Sequence, residues 1–320
     1  MAMNETNLNA VYSRPNTRRR YEAWFVRMGL ADGSGAWWFR YLLLNPGRAG
    51  CASSPRGMPA QVWATWFPRN GAPQSFIQRF PARDLHLSAP GASPFRFAIG
   101  KNRIDEDSCA GNLNADGHEI TWDLCYRSRL AVTISDRGWI GFSSTQHSGA
   151  VFSGEISLDG RTFRGDTLGY GLQGHNCGYR HRHEWTWTHC VFKAAAEDDL
   201  STFEALEYEM PLGLRFRKAI LWLGGEIYTF RKFTNERRDR ENLRWVFDCT
   251  NPREGLSLQV SLDGSGASHH RLPYLKTDCS GTFDVSNNSL ARATLRFERK
   301  GHSERELVTD GGAVLEMTGG

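Results

Sequence analysis

The stretch Phe152-Ser-Gly-Glu-Ile-Ser-Leu-Asp-Gly-Arg-Thr-Phe163 decides the fold. Asp159-Gly160 stands between two short runs of strand character. Asp-Gly is a strong hairpin signal because both central residues of the favoured turn take positive φ. The same pattern extends in both directions. Upstream, Asn114-Ala-Asp-Gly117 leads into His118-Glu-Ile-Thr-Trp-Asp-Leu-Cys-Tyr126. There Ile120, Trp122, Leu124 and Tyr126 share one face, and Glu119, Thr121, Asp123 and Cys125 share the other. Nearer the N-terminus, Tyr21–Met28 and Trp37–Leu44 read as a hairpin around Ala31-Asp-Gly-Ser-Gly35, followed by a strand at Val62–Phe67. Downstream, strands are expected at 184–193, 203–210, 215–223, 226–233, 243–250, 256–262, 290–299 and 313–318. A helical turn is expected within 194–206, and no other segment has a convincing helical period. Many short strands with regular turns predict an all-β protein built of antiparallel barrels or sandwiches.

Composition narrows the class further. Three hundred and twenty residues suggest two domains. With 40% hydrophobic and 23% charged residues, intrinsic disorder is excluded. No window approaches the ~18 apolar residues of a membrane-spanning helix. The opening MAMNETNLNAVYSRPNTRRR lacks the apolar core of a secretory signal. Residues 1–19 read as a flexible arm, and 46–60 as a Pro/Gly/Ser-rich loop. The net charge of +4 is scattered. The clusters Arg18-Arg19-Arg20 and Arg237-Arg238-Asp239-Arg240 read as solvated side chains, so no nucleic-acid partner is expected. Seven cysteines without a CxxC pair predict reduced thiols and a cytoplasmic location. Ser157-Leu-Asp-Gly160 recurs as Ser261-Leu-Asp-Gly264, a short echo compatible with two similar β-units.

The segment 165–190, GDTLGYGLQGHNCGYRHRHEWTWTHC, holds four of the ten histidines. Gly169-Tyr-Gly-Leu-Gln-Gly174 matches GxGxxG, but no helix follows to present its N-terminus to a phosphate, so the glycines read as turns or a crossover. His175, Cys177, His181, His183, His189 and Cys190 are metal-ligand types without standard spacing, so no metal is expected. A pocket wall is the third reading. On a strand, His181, His183, Trp185, Trp187 and His189 share a face, and indole faces suit a carbocationic intermediate. An aromatic stripe packed between two sheets fits the same pattern.

FSGEISLDGRTFRG (152–165), a glycine-rich link, His175-Asn-Cys-Gly178 and Trp185-Thr-Trp187 together resemble the lipocalin-like superfamily of tocopherol cyclases and carotenoid 1,2-hydratases (hydroxyneurosporene synthase). Lipocalin-like Diels–Alderases belong to the same group. Tyr21-Glu-Ala-Trp24 and Trp38-Phe-Arg-Tyr-Leu42 resemble its opening hairpin. The resemblance spans about 60 residues. It implies two lipocalin-like β-domains, 20–180 and 181–320, with a ligand cavity in or between them. It implies an apolar isoprenoid, polyene or polyketide substrate, cyclised or hydrated without a cofactor, and peripheral membrane contact for substrate access. Two positions depart from the group. Cys177 stands where relatives commonly carry Trp, and Gly174 stands where they tend to carry an acid. Alkene protonation needs a positioned acid, so His183, Glu184 and Asp166, with Asp123, become the candidates. His175, Asn176, Trp185, Trp187, His189, Trp24 and Trp38 are the expected ligand-binding residues. A carrier or sensor of an apolar molecule, or a carbohydrate-active protein, would use the same aromatic surface.

Overall fold

A computed structural model describes residues 8–12, 20–45, 60–136, 141–179, 181, 184–193, 200–278 and 280–319. Expectations for 1–7, 13–19, 46–59, Cys51, His183 and Cys279 lie outside the described residues. The chain runs through β1 (Arg20–Leu30), β2 (Gly35–Asn45), β3 (Ala60–Pro68), β4 (Gln74–Phe80), β5 (Leu85–Leu87) and β6 (Arg96–Ile99). It continues through β7 (Asn102–Asp105), β8 (Ser108–Ala115), β9 (His118–Arg127), β10 (Leu130–Asp136), β11 (Gly141–Leu158) and β12 (Arg161–Gly178). These strands form one antiparallel sheet, ordered β4-β3-β2-β1-β12-β11-β9-β8-β7-β6-β5, with β10 paired to β11 off that path.

The second sheet is built from β13 (Trp185–Lys193), β14 (Leu200–Glu209), β15 (Arg215–Leu223), β16 (Glu226–Phe230) and β17 (Lys232–Asp239). It is completed by β18 (Arg244–Asn251), β19 (Leu256–Asp263), β20 (His270–Leu275), β21 (Thr282–Arg299) and β22 (Arg305–Thr318). Its order is β16-β15-β14-β13-β22-β21-β19-β18-β17, with β20 paired to β21. The two orders correspond strand for strand near their centres, with β1 matching β13 and β12 matching β22. The Ser-Leu-Asp-Gly echo does not mark this repeat. Its first copy closes β11, whereas its second closes β19, whose counterpart is β9.

The all-β expectation is met, and the Asp-Gly turn forms as read, with φ of 51° at Asp159 and 82° at Gly160. The helical turn within 194–206 is not found at 200–206, which belongs to β14; residues 194–199 are outside the description. Its apolar residues alternate between two buried faces, which a strand satisfies and a helix does not. The strands β17 and β20 were only partly legible or missed. The GxGxxG glycines lie inside β12 and not before a helix. A side chain at Gly171 would overlap the Arg27 carbonyl oxygen on the neighbouring strand, so the glycine permits close backbone approach. Part of the expected arm is packed: Asn9, Ala10 and Val11 are buried, and Asn9 exchanges side-chain hydrogen bonds with Gln173 at 3.0 and 2.9 Å. The described cysteines 109, 125, 177, 190 and 249 are free thiols. No described helix is long and apolar enough to cross a membrane.

Alternation along β1 explains how the sheets meet. Trp24, Val26 and Met28 point into the first sheet's own core with Trp37, Phe39 and Trp122. Phe25 points the other way, into a cluster with Trp38, Leu172, Trp187, Leu206 and Ile220 that joins the two sheets. The second sheet closes over Phe203, Trp245, Phe247 and Leu295. The off-path strands reinforce the junction reciprocally. Leu130, Val132 and Ile134 of β10 enter the shared cluster. Leu272 and Tyr274 of β20 pack with Trp63 of β3.

Two further contacts follow the same reciprocity. The fully buried Arg27 of β1 donates to the carbonyls of Gly311 (2.8 Å), Ala313 (3.2 Å), Gly312 (3.3 Å) and Ser289, around the irregular β21–β22 pairing. His189 of β13, the counterpart of β1, hydrogen-bonds Ser148 at 3.0 Å, where the β11–β12 pairing is irregular. An irregular ladder leaves backbone groups or polar side chains unpaired, and each sheet supplies a partner for the other.

Candidate functional site

A cavity of about 120 Å³ lies between the sheets. That is several times the ~10–15 Å³ that a single water molecule requires. The first sheet contributes Tyr21 and Phe25 from β1, Trp38 and Arg40 from β2, and Asn176 from β12. The second contributes Trp185 and Trp187 from β13, Tyr208 from β14, Tyr274 from β20 and Glu316 from β22. His181, between β12 and β13, completes the wall, its ring stacked on Tyr21 at 3.9 Å. The outward face of each strand supplies these side chains, because alternate residues are already committed to the two sheet cores.

Each of the two β13 tryptophans in the cavity wall holds a buried glutamate. Trp185 Nε1 donates to Glu316 Oε1 at 2.8 Å, and the Tyr274 hydroxyl donates to Glu316 Oε2 at 3.2 Å. Asn287 Nδ2 lies 3.4 Å from the same oxygen. Burial raises the Glu316 pKa, overcoming these donors and the Arg40 charge. Trp187 Nε1 donates to Glu204 Oε1 at 3.0 Å, and Thr145 of the first sheet donates to that oxygen at 3.1 Å. Burial pushes Glu204 up to about 7, against both hydrogen bonds. Burial, assisted by the Arg40 charge, holds His181 well below the ordinary imidazole range. The cavity therefore combines a carboxyl inclined to stay protonated with an imidazole inclined to stay neutral.

Among the described residues, three buried polar atoms on the lining have no partner: Arg40 Nη1, Asn176 Oδ1 and His181 Nε2. Arg40 lies over the Tyr274 ring at 4.1 Å and the Trp63 ring at 5.2 Å. Among the described residues, no group of three or more His, Cys, Asp and Glu side chains is gathered to hold a metal.

Of the expected ligand-binding residues, Trp38, Asn176, Trp185 and Trp187 line this cavity. Trp24 does not: it is buried in the first sheet's core, stacked on His175 at 4.5 Å and donating to the Asn9 carbonyl at 3.0 Å. His175 is turned the same way, donating from Nδ1 to the Leu8 carbonyl at 2.8 Å, with Nε2 3.0 Å from Glu22. His189 belongs to the sheet junction, and burial together with the Arg27 charge lowers its pKa to about 3.

The expected acids stand elsewhere. Asp166 is exposed, in a shallow surface depression with Asp123 and Arg164. Glu184 pairs with Arg215 (3.1 Å), Arg238 (3.8 Å) and Arg240. Burial alone would raise its pKa, but the Arg215 hydrogen bond and the Arg240 and Arg238 charges hold it below the ordinary value. Such a carboxylate keeps no proton to donate. His183 lies outside the described residues. A side chain at Gly174 would come within 2.6 Å of the Phe25 ring, so the aromatic occupies the space an acidic side chain at this position would need.

Sequence reasoning missed Glu316, Glu204 and Arg40. A signal existed in the apolar run Ala313-Val-Leu-Glu-Met317, where a lone carboxyl faces a buried surface. The analogous run is Phe203-Glu-Ala-Leu206.

Comparison with protein-family models and with characterised protein sequences gives no match. Solved structures do match along nearly the whole chain. Kievitone hydratase from Nectria haematococca aligns with a TM-score of 0.56 at 11% identity, over 98% of this chain and 94% of that one. CghA with Sch210972 aligns at 0.60 and 12%, over 98% and 95%. An AttH-type protein from Nitrosomonas europaea aligns at 0.53 and 12%, over 99% and 97%. The lipocalin-like, two-sheet architecture expected from the sequence is thus shared with a hydratase and with a small-molecule complex. At this identity the likeness establishes the fold.

Proposed function

We propose that the chain binds an apolar isoprenoid, polyene or polyketide in the cavity between the sheets and cyclises or hydrates it by proton transfer. The observation that carries this reading is Glu316, a buried carboxyl with raised pKa in an aromatic wall. Protonated Glu316 gives its proton to an alkene carbon, leaving a carbocation. The faces of Trp38, Trp185 and Trp187 stabilise that cation. Water, or a hydroxyl or double bond of the same molecule, then captures it. The proton released by capture passes to neutral His181 or back to the Glu316 carboxylate. Phe25 and Trp187, with ring centroids 5.9 Å apart, keep bulk water from the cation. The shared fold of kievitone hydratase supports the same class of chemistry.

Native mass spectrometry of wild type and Glu316→Gln, both purified from the host, tests this reading. Gln keeps the shape and the indole contact but carries no transferable proton. Wild type is expected to retain product and the variant substrate, the two differing by one water for hydration or being isomers for cyclisation. The same ligand in both proteins would establish a carrier, and no ligand in either would remove the site.

A further inference from the structure

We propose that the ligand of this cavity carries an anionic oxygen on its apolar skeleton, and that Arg40 is the residue that recognises it. This rests on the between-sheet site proposed above and specifies its substrate class. Arg40 is 4% exposed and lines the cavity. A guanidinium remains charged at physiological pH and offers five donors. Its described neighbours are nevertheless rings: Tyr274 at 4.1 Å and Trp63 at 5.2 Å. Among the described residues its Nη1 has no acceptor, and no carboxylate lies within ion-pair distance of the guanidinium. Buried arginines are ordinarily paired. The other buried arginine of the junction, Arg27, spends its donors on four carbonyls.

The nearby Glu316 does not cancel this charge. Its oxygens are engaged by Trp185 and Tyr274, and burial favours its neutral form. An oxyanion delivered by the ligand would satisfy Nη1 and neutralise the guanidinium together. A charge-assisted, desolvated hydrogen bond of this kind distinguishes an anion from its neutral isostere by about tenfold or more. The guanidinium would also fix one end of the ligand, so that the double bond to be protonated is presented to Glu316 in one register.

A matched pair of fluorescent probes tests the assignment. 1-Anilinonaphthalene-8-sulfonate and N-phenyl-1-naphthylamine share a skeleton and differ by one sulfonate. Wild type is expected to bind the anionic probe about tenfold more tightly than the neutral one. Arg40→Met should abolish that preference while keeping neutral-probe affinity within about threefold, and Arg40→Lys should retain part of it. Circular dichroism of both variants verifies the fold. Absence of an anion preference in wild type, its persistence in Arg40→Met, or an equal loss for both probes would overturn the assignment. If the neutral probe binds and is weakened by Trp187→Ala, the cavity reading survives that failure. If neither probe binds wild type, both fall.

Discussion

Replacing Arg27 by Met asks whether a buried charge holds the two sheets together. Met keeps the aliphatic stem and removes every donor. The bonds lost run to the carbonyls of Gly311, Ser289, Ala313 and Gly312. One N–H of Nη1 and the two of Nη2 serve these four carbonyls; at about 2 kcal/mol for each charged donor, the loss is roughly 6 kcal/mol. The buried charge opposes this. Burial lowers the Arg27 pKa from 12.5 to about 10. That penalty on the charged form converts to roughly 3 kcal/mol, which Met recovers. The lost bonds win, and the expected destabilisation is about 3 kcal/mol, or a fall in Tm of roughly 4–5 °C for a chain of this size. Urea unfolding followed by tryptophan fluorescence measures it as a lower midpoint at unchanged slope. Arg69→Met is the control, since Arg69 pairs with Asp310 at 2.7 Å where both side chains are substantially exposed, and its loss should stay within about 0.5 kcal/mol. An Arg27→Met protein as stable as wild type would refute the reasoning. Desolvation would then outweigh the four bonds, and the junction would rest on apolar packing alone.

Trp187→Ala should cost about 3 kcal/mol of ligand affinity, near a hundredfold; titration with N-phenyl-1-naphthylamine measures it, and a lower Tm with unchanged affinity would make Trp187 packing only. Glu204 makes stability fall with pH. Between the ordinary value of 4.5 and about 7, the unfolded chain releases a proton that the folded chain keeps, so the native state loses ground as pH rises through that window. Glu204→Gln should flatten the Tm–pH curve between pH 5 and 8, and a curve parallel to wild type would disprove the assignment. Glu184→Gln and Asp166→Asn should leave probe affinity within about twofold, because neither side chain lines the cavity; a tenfold loss in either would return the site to the residues first expected from sequence.

The alternation of Ile120, Trp122, Leu124 and Tyr126 and the turn at Asp159-Gly160 were readable from sequence because both are local. Side chains alternate along any strand, and positive φ selects Gly and Asp wherever they occur. The same locality put Trp185, Trp187 and His189 on one face. Tertiary structure alone decided what each face meets. Nearly every residue of β1 is buried on both sides, so hydrophobicity cannot distinguish Trp24, which enters the first core, from Phe25, which enters the sheet junction. The same grounds place both Trp24 and Trp38 at the ligand, and of the two Trp38 lines the cavity. Electrostatics was less legible still. Glu184 is an ion-pair anchor because Arg215 of β15, Arg238 of β17 and Arg240 just beyond it converge on it. Glu316 is a candidate acid because Tyr274, far away in the chain, and the first sheet close over it. A carboxyl's protonation depends on the dielectric and charges around it, and here those are assembled only when the two sheets dock.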